Sequence, residues 1–169
     1  RLQECGEELP FRQRHVQYYL DLAEGAEPHL RSGAQLDWLQ LLDAERDDLH
    51  AALRWSVAAD ELPTGARFVA ALASYWMLRG AFGEARTWLD RGFLRNPGVP
   101  PPLRVRAWAA VVGVLRNGGD FSVGEEDEQE MLLEAERIGD QRTLALQRNN
   151  LSLAQHLSEP WALAEVLIS

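Results

Sequence analysis

The stretch Arg67–Pro97, Arg-Phe-Val-Ala-Ala-Leu-Ala-Ser-Tyr-Trp-Met-Leu-Arg-Gly-Ala-Phe-Gly-Glu-Ala-Arg-Thr-Trp-Leu-Asp-Arg-Gly-Phe-Leu-Arg-Asn-Pro, reads as two amphipathic helices joined at Arg79-Gly80-Ala81 and stopped at Asn96-Pro97. Phe68, Leu72 and Trp76 recur every four residues and share one face of the first helix. Ala85, Trp88, Leu89 and Phe93 supply a matching face on the second. Ala73 and Ala85 are small enough to let the two helices approach closely, and Gly80 can take the left-handed conformation that ends a helix. The stretch therefore predicts a helical hairpin with an interface of its own.

Working outward, the hairpin recurs. The turns Gly80-Ala81-Phe82, Gly119-Asp120-Phe121 and Glu159-Pro160-Trp161 align at spacings of 39 and 40 residues. An aromatic stands two positions into each turn (Phe82, Phe121, Trp161), and a small residue follows three later (Ala85, Gly124, Ala164). Upstream, Leu72, Val111 and Leu151 hold the equivalent apolar position. Each hairpin alone leaves one face open, so neighbours must stack to complete a core.

The rest of the chain reads as helix and break. A helix is expected over residues 9–25, with His15, Tyr18, Tyr19 and Leu22 as its apolar stripe, ending at Glu27-Pro28 and Ser32-Gly33. A longer helix is expected from Gln35 to Ala59, followed by the interruption Asp60–Gly65. Pro100-Pro101-Pro102 forms a stiff turn before a helix from Leu103 to about Arg116 with Trp108, Val111, Val112 and Leu115 inward. Asp120 is expected to cap the next helix, opened by Phe121, whose apolar pattern returns only at Met131, Leu132, Ala135 and Ile138. Gly139-Asp140 repeats the break and cap before a helix over Leu144–Leu157. Two parts are expected: an N-terminal helical pair at 1–60, and about 2.5 hairpins at 61–169, cut at the C-terminal end.

Composition narrows the function. Hydrophobic residues make up 46% and charged residues 25%, as in ordinary folded domains. The net charge of −9, from 17 basic and 26 acidic residues, disfavours a nucleic-acid surface spread over the chain. No stretch reaches the roughly 20 apolar residues a membrane span needs. Cys5 is the sole cysteine, so no intrachain disulfide can form, and an intracellular, cytoplasmic setting is expected. The chain starts without methionine and stops inside an apolar run, which reads as a piece of a longer protein.

The repeat resembles the tetratricopeptide repeat, whose pattern places W, L, G, Y, A, F and P at fixed offsets. Leu72, Ala73, Trp76, Ala85, Leu89 and Pro97 occupy its positions in the central copy. The period of about 40 departs from the family's ~34, and Glu128 stands where an aromatic is expected. The implied fold is all-α, a superhelix of antiparallel helical hairpins. A second resemblance lies in Trp38-Leu39-Gln40-Leu41-Leu42-Asp43-Ala44-Glu45-Arg46-Asp47-Asp48-Leu49-His50-Ala51-Ala52-Leu53-Arg54-Trp55. It is similar to the W-L-x-x-L-x-x-E-x-x-N-L-R-x-A-L-x-W helix of bacterial signal-transduction ATPases with numerous domains, the NB-ARC-type transcriptional regulators of the LuxR and antibiotic-regulator kinds. Asp48 replaces the usual asparagine and His50 the usual arginine. In that family the helix leads into repeats of this length. The resemblance implies a regulatory, protein-interaction arm whose partner is a protein, a peptide or the ATPase core of the same parent chain.

The chain has no lysine and no Walker A loop, so ATP is expected only in another part of the parent, as is DNA contact. No catalytic residue and no cofactor site is expected in this segment. His15, His29, His50 and His156 lack zinc-ligand spacing, and the acidic run Glu125–Glu130 lacks the form of a calcium loop and reads as a solvated helix face. Solenoid geometry puts first helices on a concave side suited to peptides. Arg67, Ser74, Arg106, Arg116, Asn117 and Asn149 are the candidate groove residues there, exposed and able to hold carboxylates or peptide backbone. The same residues also fit the plain solvated side of their helices. A stand-alone peptide-binding scaffold is the alternative to the regulator.

Overall fold

Leu62–Arg79 forms one helix, with Phe68, Leu72 and Trp76 fully buried along the face that their spacing predicts. It is α4 in a computed structural model that describes residues 8–146 and 148. Before it come α1 (Glu8–His29), α2 (Gln35–Ala44) and α3 (Arg46–Ala58). After it come α5 (Phe82–Asp90), a 3-10 turn at Phe93–Arg95, α6 (Pro101–Asn117) and α7 (Glu125–Ile138). Residues 141–146 are helical again. Among the described residues there is no strand, and no helix is long and apolar enough to cross a membrane.

Gly80 ends α4 at φ 66°, and two hydrogen bonds close the turn: Gly80 N–H to Met77 O at 3.2 Å and Ala81 N–H to Trp76 O at 2.8 Å. The aligned turn at Gly119, φ 82°, closes with the same pair, Gly119 N–H to Arg116 O at 3.0 Å and Asp120 N–H to Leu115 O at 2.9 Å. This is the interlocked ending that a left-handed residue permits.

Helix α4 packs against α1 on one side and α6 on the other. Helices α3, α5 and α7 pack in turn against α1 and α4, against α4 and α6, and against α6. The apolar core is continuous from Leu20 and Leu53 through Trp76 to Trp108 and Ala135. Between α3 and α4 the chain turns at Asp60, φ 61°, and buried side chains on both sides of the turn belong to one apolar cluster.

Several local expectations need correction. Helix α1 does not stop at Glu27-Pro28: Pro28 lies in its last turn, and burial of Ala26 and Leu30 carries the chain past it. Its inward face is Val16, Tyr19, Leu20 and Ala23, while Tyr18 is 63% exposed. The helix expected over 35–59 breaks at Glu45 (φ −99°, ψ 9°), whose carboxylate accepts the Tyr19 hydroxyl at 2.8 Å. Asp120 does not cap α7. Its Oδ1 accepts both Ser122 N–H, at 3.0 Å, and Ser122 Oγ–H, at 2.6 Å, a local turn that delays the helix to Glu125 and leaves Phe121 exposed. Asp140 does cap the helical segment beyond it, accepting Thr143 N–H at 3.0 Å and the Thr143 hydroxyl at 2.5 Å. The remainder of the Leu144–Leu157 helix and the third turn at Glu159-Pro160-Trp161 lie outside the described residues.

Candidate functional site

Because α4 lies between α1 and α6, small residues on its outer side leave a trough there. Ala70 and Ala73 of α4 and Ala109, Ala110 and Gly113 of α6 pave a groove of about 660 Å³. Met77 and Leu146 add larger apolar side chains, each partly exposed. Polar groups ring the groove: Glu27 and Arg31 from the end of α1, Ser74 from α4, Arg106 and Asn117 from α6, and Asp140, Arg142 and Thr143 beyond α7.

The structure brings Ser74, Arg106 and Asn117 together in this groove. Ser74 is buried rather than exposed, and its Oγ accepts from Arg31 Nη2 at 3.2 Å. Arg106 reaches back to Glu27 of α1, Nη2 to Oε2 at 2.8 Å, linking two helices on either side of α4. The Asn117 amide donates to Gly113 O one turn earlier at 2.8 Å. Arg67 lies outside the groove and holds Glu24 with two parallel bonds, 2.8 Å and 2.6 Å, and that hydrogen bonding raises its pKa further.

Arg116 is not on the open face. It is 6% exposed and paired with the equally buried Glu128 of α7, so it serves the α6–α7 interface, and Glu128 is no part of a solvated acidic face. Asn149 lies outside the described residues. Arg31 and Arg142 escaped sequence reasoning because they sit beside breaks, where helical periodicity assigns no face.

A second hollow, about 710 Å³, opens where α2 meets the ends of α4 and α5, lined by Asp43, Arg46, Tyr75, Arg79, Glu84 and Thr87. Its charges are spent on one another. Asp43 accepts the Tyr75 hydroxyl at 2.8 Å and holds the Arg79 guanidinium, and Arg46 holds Glu84. Burial, together with the bond to Asp43, pushes Tyr75 up to about 12. The hollow is of similar size to the groove but offers a ligand no uncommitted charge.

Glu84 of this lining also faces His50, whose Nε2 lies 2.8 Å from Glu84 Oε2, although the two buried atoms do not align as a hydrogen bond. Burial lowers the His50 pKa from its ordinary 6.5, with Arg46 and Arg54 acting the same way and Glu84 and Asp47 opposing. A histidine that resists protonation when folded costs stability once the unfolded chain binds a proton first. Stability should hold level above pH 7 and fall as pH drops through about 6.5 toward the lowered folded value. Urea melts of His50→Gln across that window should fall less steeply than those of the parent; parallel curves would assign the effect elsewhere.

Among the described residues no group of three or more His, Cys, Asp or Glu is placed to hold a metal ion. Comparison of the chain with protein-family models, with curated proteins and with solved structures finds no match.

Proposed function

We propose that this chain is a non-enzymatic interaction and sensing module, a tetratricopeptide-like superhelix of hairpins that serves as the regulatory arm of a cytoplasmic signal-transduction ATPase. The groove across α1, α4, α6 and residues 141–146 carries the proposal. It spans several helices, has an apolar floor of small residues, and carries polar groups along its rim, the arrangement that suits a chain-like partner. Recurrence of one turn geometry at Gly80 and Gly119 supports the repeat reading. Resemblance of the Trp38–Trp55 segment to the regulator family supports the ATPase connection. The partner is a protein or peptide, or the ATPase core of the same parent chain, with ATP and DNA contacts in other parts. Occupation of the groove would favour one packing of this arm against that core, an effect limited to the occupant's difference in affinity for the two packings.

The parent gene and one substitution test this. A Walker A loop encoded upstream is expected, and Ala110→Trp, which fills the groove from a half-buried position, should change nucleotide turnover of the full parent chain several-fold. Unchanged turnover would remove the regulatory role of the groove. An open reading frame without the loop would leave the stand-alone peptide-binding scaffold.

A further inference from the structure

Arginine is the only long cation in this chain, and acidic residues outnumber it 26 to 17. Carboxylates have taken up most of it. Among the described residues nine arginines hold at least one: Arg46, Arg67, Arg79, Arg86, Arg95, Arg104, Arg106, Arg116 and Arg137. Arg91 lies over the Trp88 ring, 4.6 Å from its centroid. Two of the arginines left over line the groove. Among the described residues Arg31 donates only to the neutral Ser74 hydroxyl, and the Arg142 guanidinium holds no carboxylate. Both are exposed and both line the groove. The two groove carboxylates are already spent, Glu27 on Arg106 and Asp140 on the Thr143 cap.

The geometry points to an acidic peptide segment of a partner protein as the occupant of this groove, its carboxylates received by Arg31 and Arg142 and its apolar side chains seated beside Met77 and Leu146. The inference rests on the groove being an interaction surface, as proposed above, and adds the chemistry of what enters it. Any partner that covers the rim strips water from two guanidinium groups. A neutral peptide can offer their N–H donors only uncharged carbonyl oxygens, whereas a carboxylate takes two at once with charge assistance. The apolar floor excludes a simple polyanion, which would gain nothing from Met77, Leu146 and the alanines between them. A nucleic acid would also bring many phosphates against a chain of net charge −9. Selectivity must come from short-range contact, because beyond a Debye length of about 8 Å the acidic chain offers an acidic partner no attraction.

The test uses a fluorescein-labelled peptide composed of glutamate, leucine and alanine, and a twin with glutamine at every glutamate. The acidic peptide should bind about tenfold more tightly than its twin. Arg31→Gln with Arg142→Gln should erase that preference while the far-ultraviolet circular dichroism and urea midpoint stay those of the parent. Equal binding of both peptides, lost in Ala110→Trp, would overturn the acidic preference and leave the groove reading standing. If neither peptide binds, both fall. Capture of a single-stranded oligonucleotide that depends on the same two arginines would also overturn the peptide assignment.

Discussion

Gly118→Ala should lower the stability of this chain by about 3 kcal/mol, the upper range for forcing volume into a packed site. A Cβ at Gly118 would lie 2.6 Å from Phe82 Cγ and 2.8 Å and 2.9 Å from the two Cδ atoms. The obstruction is the root of the ring, not its tip, so Phe82 can clear it only by changing its χ1 rotamer and giving up its present packing. Backbone conformation plays no part, because φ at Gly118 is −82°, open to any residue. The cost is thus purely one of space between the start of α5 and the end of α6. Urea unfolding should show a lower midpoint at unchanged slope. In a Phe82→Ala background the same change should cost under ~0.5 kcal/mol, since sites in contact do not add. An equal cost in both backgrounds would show that the ring is not the obstacle.

This contact marks how far the relation between the two turns was legible. The spacing of turns identifies Phe82 and Phe121 as counterparts, and both turns do close with the same two hydrogen bonds. What spacing could not reveal is that Phe82 rests on Gly118, the residue just before the next turn. The buried face of α4 was readable because Phe68, Leu72 and Trp76 are bulky, regularly placed and uninterrupted. In α1 the run His15-Val16-Gln17-Tyr18-Tyr19 offers two overlapping faces, and only packing against α3 and α4 chooses Val16 and Tyr19 over Tyr18. At Asp120, a serine two residues on offered a closer donor than the helix beyond it. The groove was half legible for a similar reason. Ser74, Arg106 and Asn117 lie on periodic helices whose outer sides can be counted off, whereas Arg31 and Arg142 stand where periodicity stops.

The largest loss is expected from breaking the buried pair Arg116–Glu128. The two side chains are 5% and 4% exposed, and Arg116 Nε and Nη1 already lack hydrogen-bond partners among the described residues. Burial pushes the Arg116 pKa down, but an arginine's ordinary value is so high that the group stays charged at neutral pH. Glu128→Leu therefore leaves a buried cation with no counter-charge, a change that costs about 3–5 kcal/mol in such settings. Arg116→Met strands the carboxylate and should cost a similar amount. The double variant Arg116→Met with Glu128→Leu removes both charges and fills the space, and should lie within about 1 kcal/mol of the parent or above it. Urea melts of the four proteins form a closed cycle, and additive losses would show that the pair is not coupled. The cycle also bears on the sequence pattern. Glu128 stands where the sequence pattern leads us to expect an aromatic, and it is buried. The position is thus buried although its side chain is charged, and Arg116 on the neighbouring helix is what makes a carboxylate tolerable there. Near-parental stability of the apolar pair would mean that the site accepts apolar side chains, provided both partners change together.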